Sequence, residues 1–199
     1  MTGQFAPFAD AGFAIDQELG TDAVAREALL DRVMGEGRKR KSSERLRRGR
    51  LPSAGLAFVA RSGSGSVIGS VRLWDVACSD TTLLLLGPLA VETSVAGQGI
   101  GAALMRHAMA QAAELGHGAI ILVGDAPYYA RFGFSAEKTG GVMMPGPVER
   151  DRLLGCELRD SYLDDAGGLL VARGRRVEPR KSPGDAVSQP SSADFVRVA

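Results

Sequence analysis

The chain has 199 residues, 45% of them hydrophobic and 24% charged, which is the make-up of a soluble globular protein with one domain, a buried core and room for a tail. A formal net charge of +1 excludes a global field that would gather nucleic acid or an anionic membrane, and no apolar run is long enough to span a bilayer. Cys78 and Cys156 stand far apart, and His107 and His117 have no Cys or carboxylate cluster beside them. Two buried thiols, no metal and a cytoplasmic location without a signal peptide are therefore expected.

Residues 22–34 carry apolar side chains at Val24, Ala28, Leu29 and Val33, a helical stripe that Asp22 is placed to cap. The strongly basic stretch 38–50 follows, read as a turn and then a short polar helix. Residues 56–77 read as two strands around the Ser/Gly turn 62–66; lacking a Gly-Lys-Ser/Thr ending, this run is a hairpin and not a phosphate loop. Residues 83–91 form the most apolar strand, with a bulge or break at Gly87-Pro88. From Gly99 the period becomes helical through Ile100, Leu104, Ala108, Ala112 and Leu115, and Gly116 ends the helix. A buried strand at 119–123 completes a right-handed parallel βαβ unit, and Asp125 caps a short helix through Tyr128 and Tyr129. Past Phe134 come a Pro/Gly turn, a short helix or turn, and a strand. Residues 167–173 make the last strand, and 174–199 read as a mobile tail behind a single domain spanning 1–173.

Chemistry concentrates at Gly97-Gln98-Gly99-Ile100-Gly101-Ala102, where a strand hands over to a helix. Helix N-termini leave amide N–H groups unpaired with a partial positive charge, and glycine keeps side chains away from them, so the turn suits a pyrophosphate. It also fits the G-x-G-x-x-A dinucleotide pattern, with Asp125 as a ribose ligand, which makes an NAD- or FAD-dependent oxidoreductase a rival. Against that rival, five residues separate strand from glycine, a hairpin precedes the unit, and too little chain follows for a doubly wound sheet.

Residues 89–105, LAVETSVAGQGIGAALM, resemble the acetyl-CoA motif of the GNAT superfamily of N-acetyltransferases, with Gly99 and Gly101 on its two glycines. Residues 128–134, YYARFGF, are similar to a second signature of that superfamily, with Tyr129 on its tyrosine. The resemblance covers roughly residues 11–173. It implies an α/β (α+β) three-layer fold: a mixed, mostly antiparallel sheet splayed around a parallel pair, 83–91 with 119–123, and helices on both faces. One departure is Ala96, where the family usually has Gln or Arg; another is Thr93, where many members have Pro.

The resemblance further implies transfer of an acetyl group from acetyl-CoA to a primary amine. Amides of Leu89, Ala90 and Val91 would bond the pantetheine and polarise the thioester carbonyl. The amides of the 97–102 turn would bind pyrophosphate, and Tyr129 would protonate the departing thiolate. Glu92 and Asp75 are nominees for a base. The basic 38–50 stretch is a solvated face or, less simply, the border of a site for a carboxylate-bearing acceptor. An acyl-CoA-binding regulatory domain is the alternative from another class. Acetyl-CoA and an amine are the expected partners, with neither nucleic acid nor membrane, and a homodimer remains open.

Overall fold

The computed structural model describes residues 12–178. Strand β1 (Phe13–Gln17) forms one sheet edge, and α1 (Ala23–Met34) and the single-turn α2 (Glu44–Arg47) follow. The hairpin is β2 (Ala57–Ser62) and β3 (Val67–Cys78), closed by Ser62 N–H donating to Ser66 O at 2.9 Å. Then come β4 (Thr81–Leu86), β5 (Ala90–Val91), α3 (Ile100–Glu114), β6 (Ala119–Val123) and α4 (Ala126–Ala130). β7 (Gly141–Met143), β8 (Leu153–Glu157), β9 (Gly167–Leu169) and β10 (Val171–Ala172) complete the order.

Strand-period alternation gives the central sheet two apolar faces. Phe58, Val71, Leu73, Leu84, Leu86, Ile120 and Leu122 point to one, where α3 lays down Ile100, Leu104, Met105, Ala108 and Ala112. Trp74, Val76, Leu83, Leu85 and Ile121 point to the other, under Leu46 of α2, and α1 seals Ala90 of β5 with Leu29 and Leu30. The main sheet runs β1-β2-β3-β4-β6-β8 and is antiparallel except for β4 with β6. Helices on both faces of a mixed, mostly antiparallel sheet are the expected three layers, and a single parallel contact within the main sheet is incompatible with a doubly wound dinucleotide fold. Among the described residues no helix is long and apolar enough to cross a membrane.

Several local expectations change. The strand expected at 83–91 is two strands, β4 and β5, both antiparallel to β3. The parallel partner of β6 is β4 alone, through Leu84 with Ile120 and Leu85 with Ile121. Asp22 does not cap α1; its carboxylate accepts from Leu19 N–H at 2.8 Å and from Arg61 at 2.7 Å. Val24, assigned to the buried stripe of α1, is 82% exposed, while Leu29, Leu30 and Arg26 are buried. The last strand also divides: β9 pairs parallel with β7, and β10 pairs with β3. Cys78 and Cys156 are free and buried.

Chain order past Arg173 matters to the site described below. Leu51 N–H donates to Arg175 O (2.8 Å), Val177 N–H to Gly49 O (2.9 Å), and Arg50 Nη1 to Gly174 O (2.6 Å). These bonds pin residues 49–51, which follow α2, and they move the edge of the packed structure beyond the expected boundary at 173; residues 179–199 of the expected tail lie outside the described residues. A chain ending at Arg173 loses all three bonds. At a net ~0.5–1.5 kcal/mol each it should be about 2–4 kcal/mol less stable than a chain ending at Glu178, read from urea unfolding midpoints at equal m-value.

Candidate active site

Beyond Leu85 the two parallel strands part. β4 stops at Leu86, and Gly87 takes φ +123°, a conformation open to glycine but strained for other residues. Trp74 Nε1 donates to Gly87 O at 2.8 Å and Gly87 N–H donates to Arg72 O at 2.8 Å, so the break is held from β3. The chain resumes as β5 on the far part of β3, while β6 continues through Leu122 and Val123 along β8. β5 and β6 therefore face each other across an unpaired gap. Glu92 N–H donates to Ile68 O at 2.8 Å, and bonded residues alternate in an antiparallel ladder. Ala90 thus turns its amide to β3, whereas Leu89 and Val91 turn theirs to the gap.

Next to β5, the 97–102 turn leads into α3. Gly99 is the N-cap residue with φ +80°, and the first bond into the helix runs from Ala103 N–H to Gly99 O at 2.9 Å. The amides of Gly97, Gln98, Gly99, Ile100, Gly101 and Ala102 make no hydrogen bond to the described residues. At Gly101 the reason for glycine is steric: a Cβ would lie 3.2 Å from Tyr128 Oη and 3.5 Å from Val91 Cγ2. Ala96 is exposed, and the loop before it is braced otherwise, by Glu92 accepting from Arg32 at 2.7 Å and from Thr93 N–H at 3.3 Å.

Tyr129 reaches the opposite lip of the gap. Asp125 caps α4 by accepting from Tyr128 N–H at 3.2 Å, with Pro127 in the first turn. The Tyr129 ring stacks edge-on against Tyr128 at 4.9 Å and Phe134 at 6.0 Å between centroids. It packs against Gly124, where a Cβ would fall 2.2 Å from the ring. The hydroxyl has no hydrogen-bond partner among the described residues. Burial, with the nearby Tyr128 and Asp125 charges, pushes its pKa up to about 12.

Tyr129, Leu86, Gly87, Pro88, Leu89, Leu122 and Val123 close one end of a cavity of about 270 Å³. Its far wall comes from α1, α2 and the segment between them, and its floor from Ser70, Arg72 and Trp74. Glu27 in that wall is pushed up by burial, but hydrogen bonds from Arg38 and Arg26 prevail and hold its pKa at about 2. Neither nominated base, Asp75 or Glu92, lines the cavity; an Arg32 hydrogen bond holds the Glu92 carboxyl below its usual range. The 97–102 turn lies outside the cavity as well, so the anion-suited amides and Tyr129 serve different parts of one gap. Gly124 and Trp74 went unnoticed in the sequence, and Arg47 was seen only as one of the eight cations of the basic 38–50 stretch, with nothing to mark it as buried. For Gly124 a signal existed, a glycine directly after the apolar run of β6. The other two leave no local pattern.

A mixed sheet opened beside a glycine-turn helix N-terminus defines an acyltransferase of the GNAT type, and the comparisons agree. Residues 53–136 match the family model of the acetyltransferase (GNAT) domain. The chain is 30% identical over 155 residues to the uncharacterized N-acetyltransferase YhbS of Escherichia coli K12, covering 77% of this chain and 92% of that one. The crystal structure of E. coli YhbS in complex with CoA superposes with a TM-score of 0.70 at 28% identity, over 81% of this chain and 89% of that one. A GNAT family acetyltransferase from Brucella melitensis in complex with acetyl-CoA gives 0.52 at 28% identity, over 71% and 94%. The chain belongs to the GNAT family of N-acetyltransferases.

Gly124→Ala tests the seat of Tyr129. The added methyl meets the ring at an impossible distance, so the ring must shift, at roughly 1–3 kcal/mol of overpacking strain. Urea unfolding should show that loss, together with a changed near-ultraviolet circular dichroism from the Tyr128–Tyr129 pair.

Proposed function

We propose that the protein transfers an acetyl group from acetyl-CoA to a primary amine. One observation carries the reading: the Tyr129 hydroxyl, the outward amides of Leu89 and Val91, and the amides of the 97–102 turn, all without partners among the described residues, border the gap between β5 and β6. The turn fits a pyrophosphate, since six consecutive amides lack partners among the described residues and the helix dipole adds positive potential there. The gap fits an extended polar chain that completes the missing strand, because Leu89 and Val91 offer ladder groups to it. A bound thioester supplies an activated acyl group. The amides facing the gap stabilise negative charge on its carbonyl oxygen, and Tyr129 delivers its proton to the sulfur as the thiolate leaves.

A pKa near 12 keeps Tyr129 protonated while the amine loses its own proton. Glu27, held ionised by two arginines, is too weak a base to take that proton, so water is its acceptor. The reaction rate should therefore rise with pH as the amine deprotonates. It should show no alkaline fall from Tyr129 up to about pH 10, the ordinary tyrosine value. A descending limb near neutrality would assign the acid elsewhere.

CoA and acetyl-CoA should raise the melting temperature while NAD and FAD leave it unchanged, and Gly101→Val should abolish the shift. Tyr129→Phe keeps the packed ring and removes the hydroxyl. Turnover, followed as thiol release against an amine panel, should fall by roughly 10²–10⁴ with acetyl-CoA affinity nearly constant. Tyr128→Phe is the control and should retain turnover. Full turnover in Tyr129→Phe rules the tyrosine out as acid.

A further inference from the structure

Seven cationic side chains and two carboxylates line the cavity beside Tyr129. Three of the cations are already matched. Arg26 and Arg72 both bond Glu18, whose side chain is 4% exposed, and Arg38 bonds Glu27 at 2.5 Å and Asp31 at 2.8 Å. Arg47 differs. Its side chain is 9% exposed, yet only Nη2 has protein partners, Glu44 at 3.2 Å and Ser43 at 3.4 Å. Nε is buried without a hydrogen-bond partner, and Nη1 has none among the described residues. A Cβ on Gly87 would lie 3.7 Å from Nη1, which places the free end of the guanidinium at the break where β4 stops. Lys39 and Lys41, on the same wall, form no ion pair among the described residues.

A buried guanidinium with open donors is unfavourable unless an anion meets it, and a carboxylate matches its planar fork. Glu27 cannot serve, because Arg26 and Arg38 already hold it. The space in front of Arg47 is the same cavity that Tyr129 borders, and none of the 97–102 residues lines it. A cavity of about 270 Å³ sits just below the range of pockets for drug-sized ligands, so it holds a molecule of amino-acid dimensions.

We infer that the acceptor is a small amino-carboxylate, an amino acid or close analogue, whose carboxylate is bound by Arg47 while its amine faces the gap. This rests on acetyl transfer as proposed above and adds the acceptor class to it. Arg47 acts here in specificity, with Lys39 and Lys41 raising the local positive potential.

The test uses the CoA-loaded full chain and two readouts, calorimetric binding and thiol release with acetyl-CoA. The probes are the proteinogenic amino acids, each beside its carboxamide, which keeps the amine and removes the charge. At least one amino acid should bind about 10- to 100-fold tighter than its carboxamide, the range of a hydrogen-bonded charged group. Arg47→Gln should collapse that ratio towards one, and Arg47→Lys should restore part of it. Equal binding of acid and amide throughout the panel overturns the inference without any variant, so poor folding of Arg47→Gln cannot shelter it. Persistence of the ratio in a folded Arg47→Gln overturns it equally. If amides are acetylated as well as acids, only the carboxylate assignment fails. If acids bind selectively but no amine releases thiol, acetyl transfer fails and the carboxylate site stands.

Discussion

A strand that stops in mid-sheet leaves its neighbours with backbone groups that the sheet no longer satisfies. β4 does so at Leu86, and the position of the stop is not left to the turn itself. Trp74, buried in β3, donates its indole N–H to Gly87 O, and Arg72 O accepts from Gly87 N–H, so two β3 residues on either side of Leu73 grip one residue. The gap between β5 and β6 follows from this grip. So do the outward amides of Leu89 and Val91, because the register of β5 on β3 decides which residues face the gap. Shifting that register by one residue would turn Ala90 outward instead.

The other components of the site are seated by close packing against this opened sheet. Gly101 lets α3 approach β5 and Tyr128, and Gly69 lets it approach β3, where a Cβ would press on Leu104 and Ile100 at 3.0 and 3.1 Å. Gly124 performs the same service for the Tyr129 ring. In the proposed mechanism the hydroxyl must meet a leaving atom, which needs sub-ångström placement, and a ring packed against Gly124, Tyr128 and Phe134 has few ways to move. The same burial that fixes the ring pushes its pKa up to about 12, which suits an acid better than a base.

Electrostatically the gap has two unlike ends. At one, backbone dipoles at the start of α3 offer positive potential without a side-chain charge. At the other, arginines from α1, α2 and β3 crowd one cavity, and buried carboxylates neutralise only some of them. Glu18 is shared by Arg26 and Arg72, which ties α1 to β3 across the floor. Arg47 faces the cavity from a single-turn helix without such a shared carboxylate.

Local pattern determined much of this in advance. The hairpin around 62–66, the helix from Ile100, the strand at 119–123, the Asp125 cap and the two family motifs were legible, because each depends on neighbours in sequence: period, turn chemistry or capping. The glycine turn was legible as a helix start for the same reason, whereas Tyr129 stood out only through the family resemblance. Only the tertiary structure decided the rest. The break at Gly87-Pro88 was legible in the 83–91 run, but apolar period does not record which partner strand each half will find. Asp22 had the right identity and position for a cap but was taken by Arg61, thirty-nine residues away. The basic 38–50 stretch read most simply as a solvated face, and its net charge gave no warning that Arg38 and Arg47 turn inward. Burial of a charge depends on where its carboxylate partners come to lie in space, and Glu18, Glu27 and Glu44 meet these arginines from three separate segments. No spacing within one segment encodes where those partners meet.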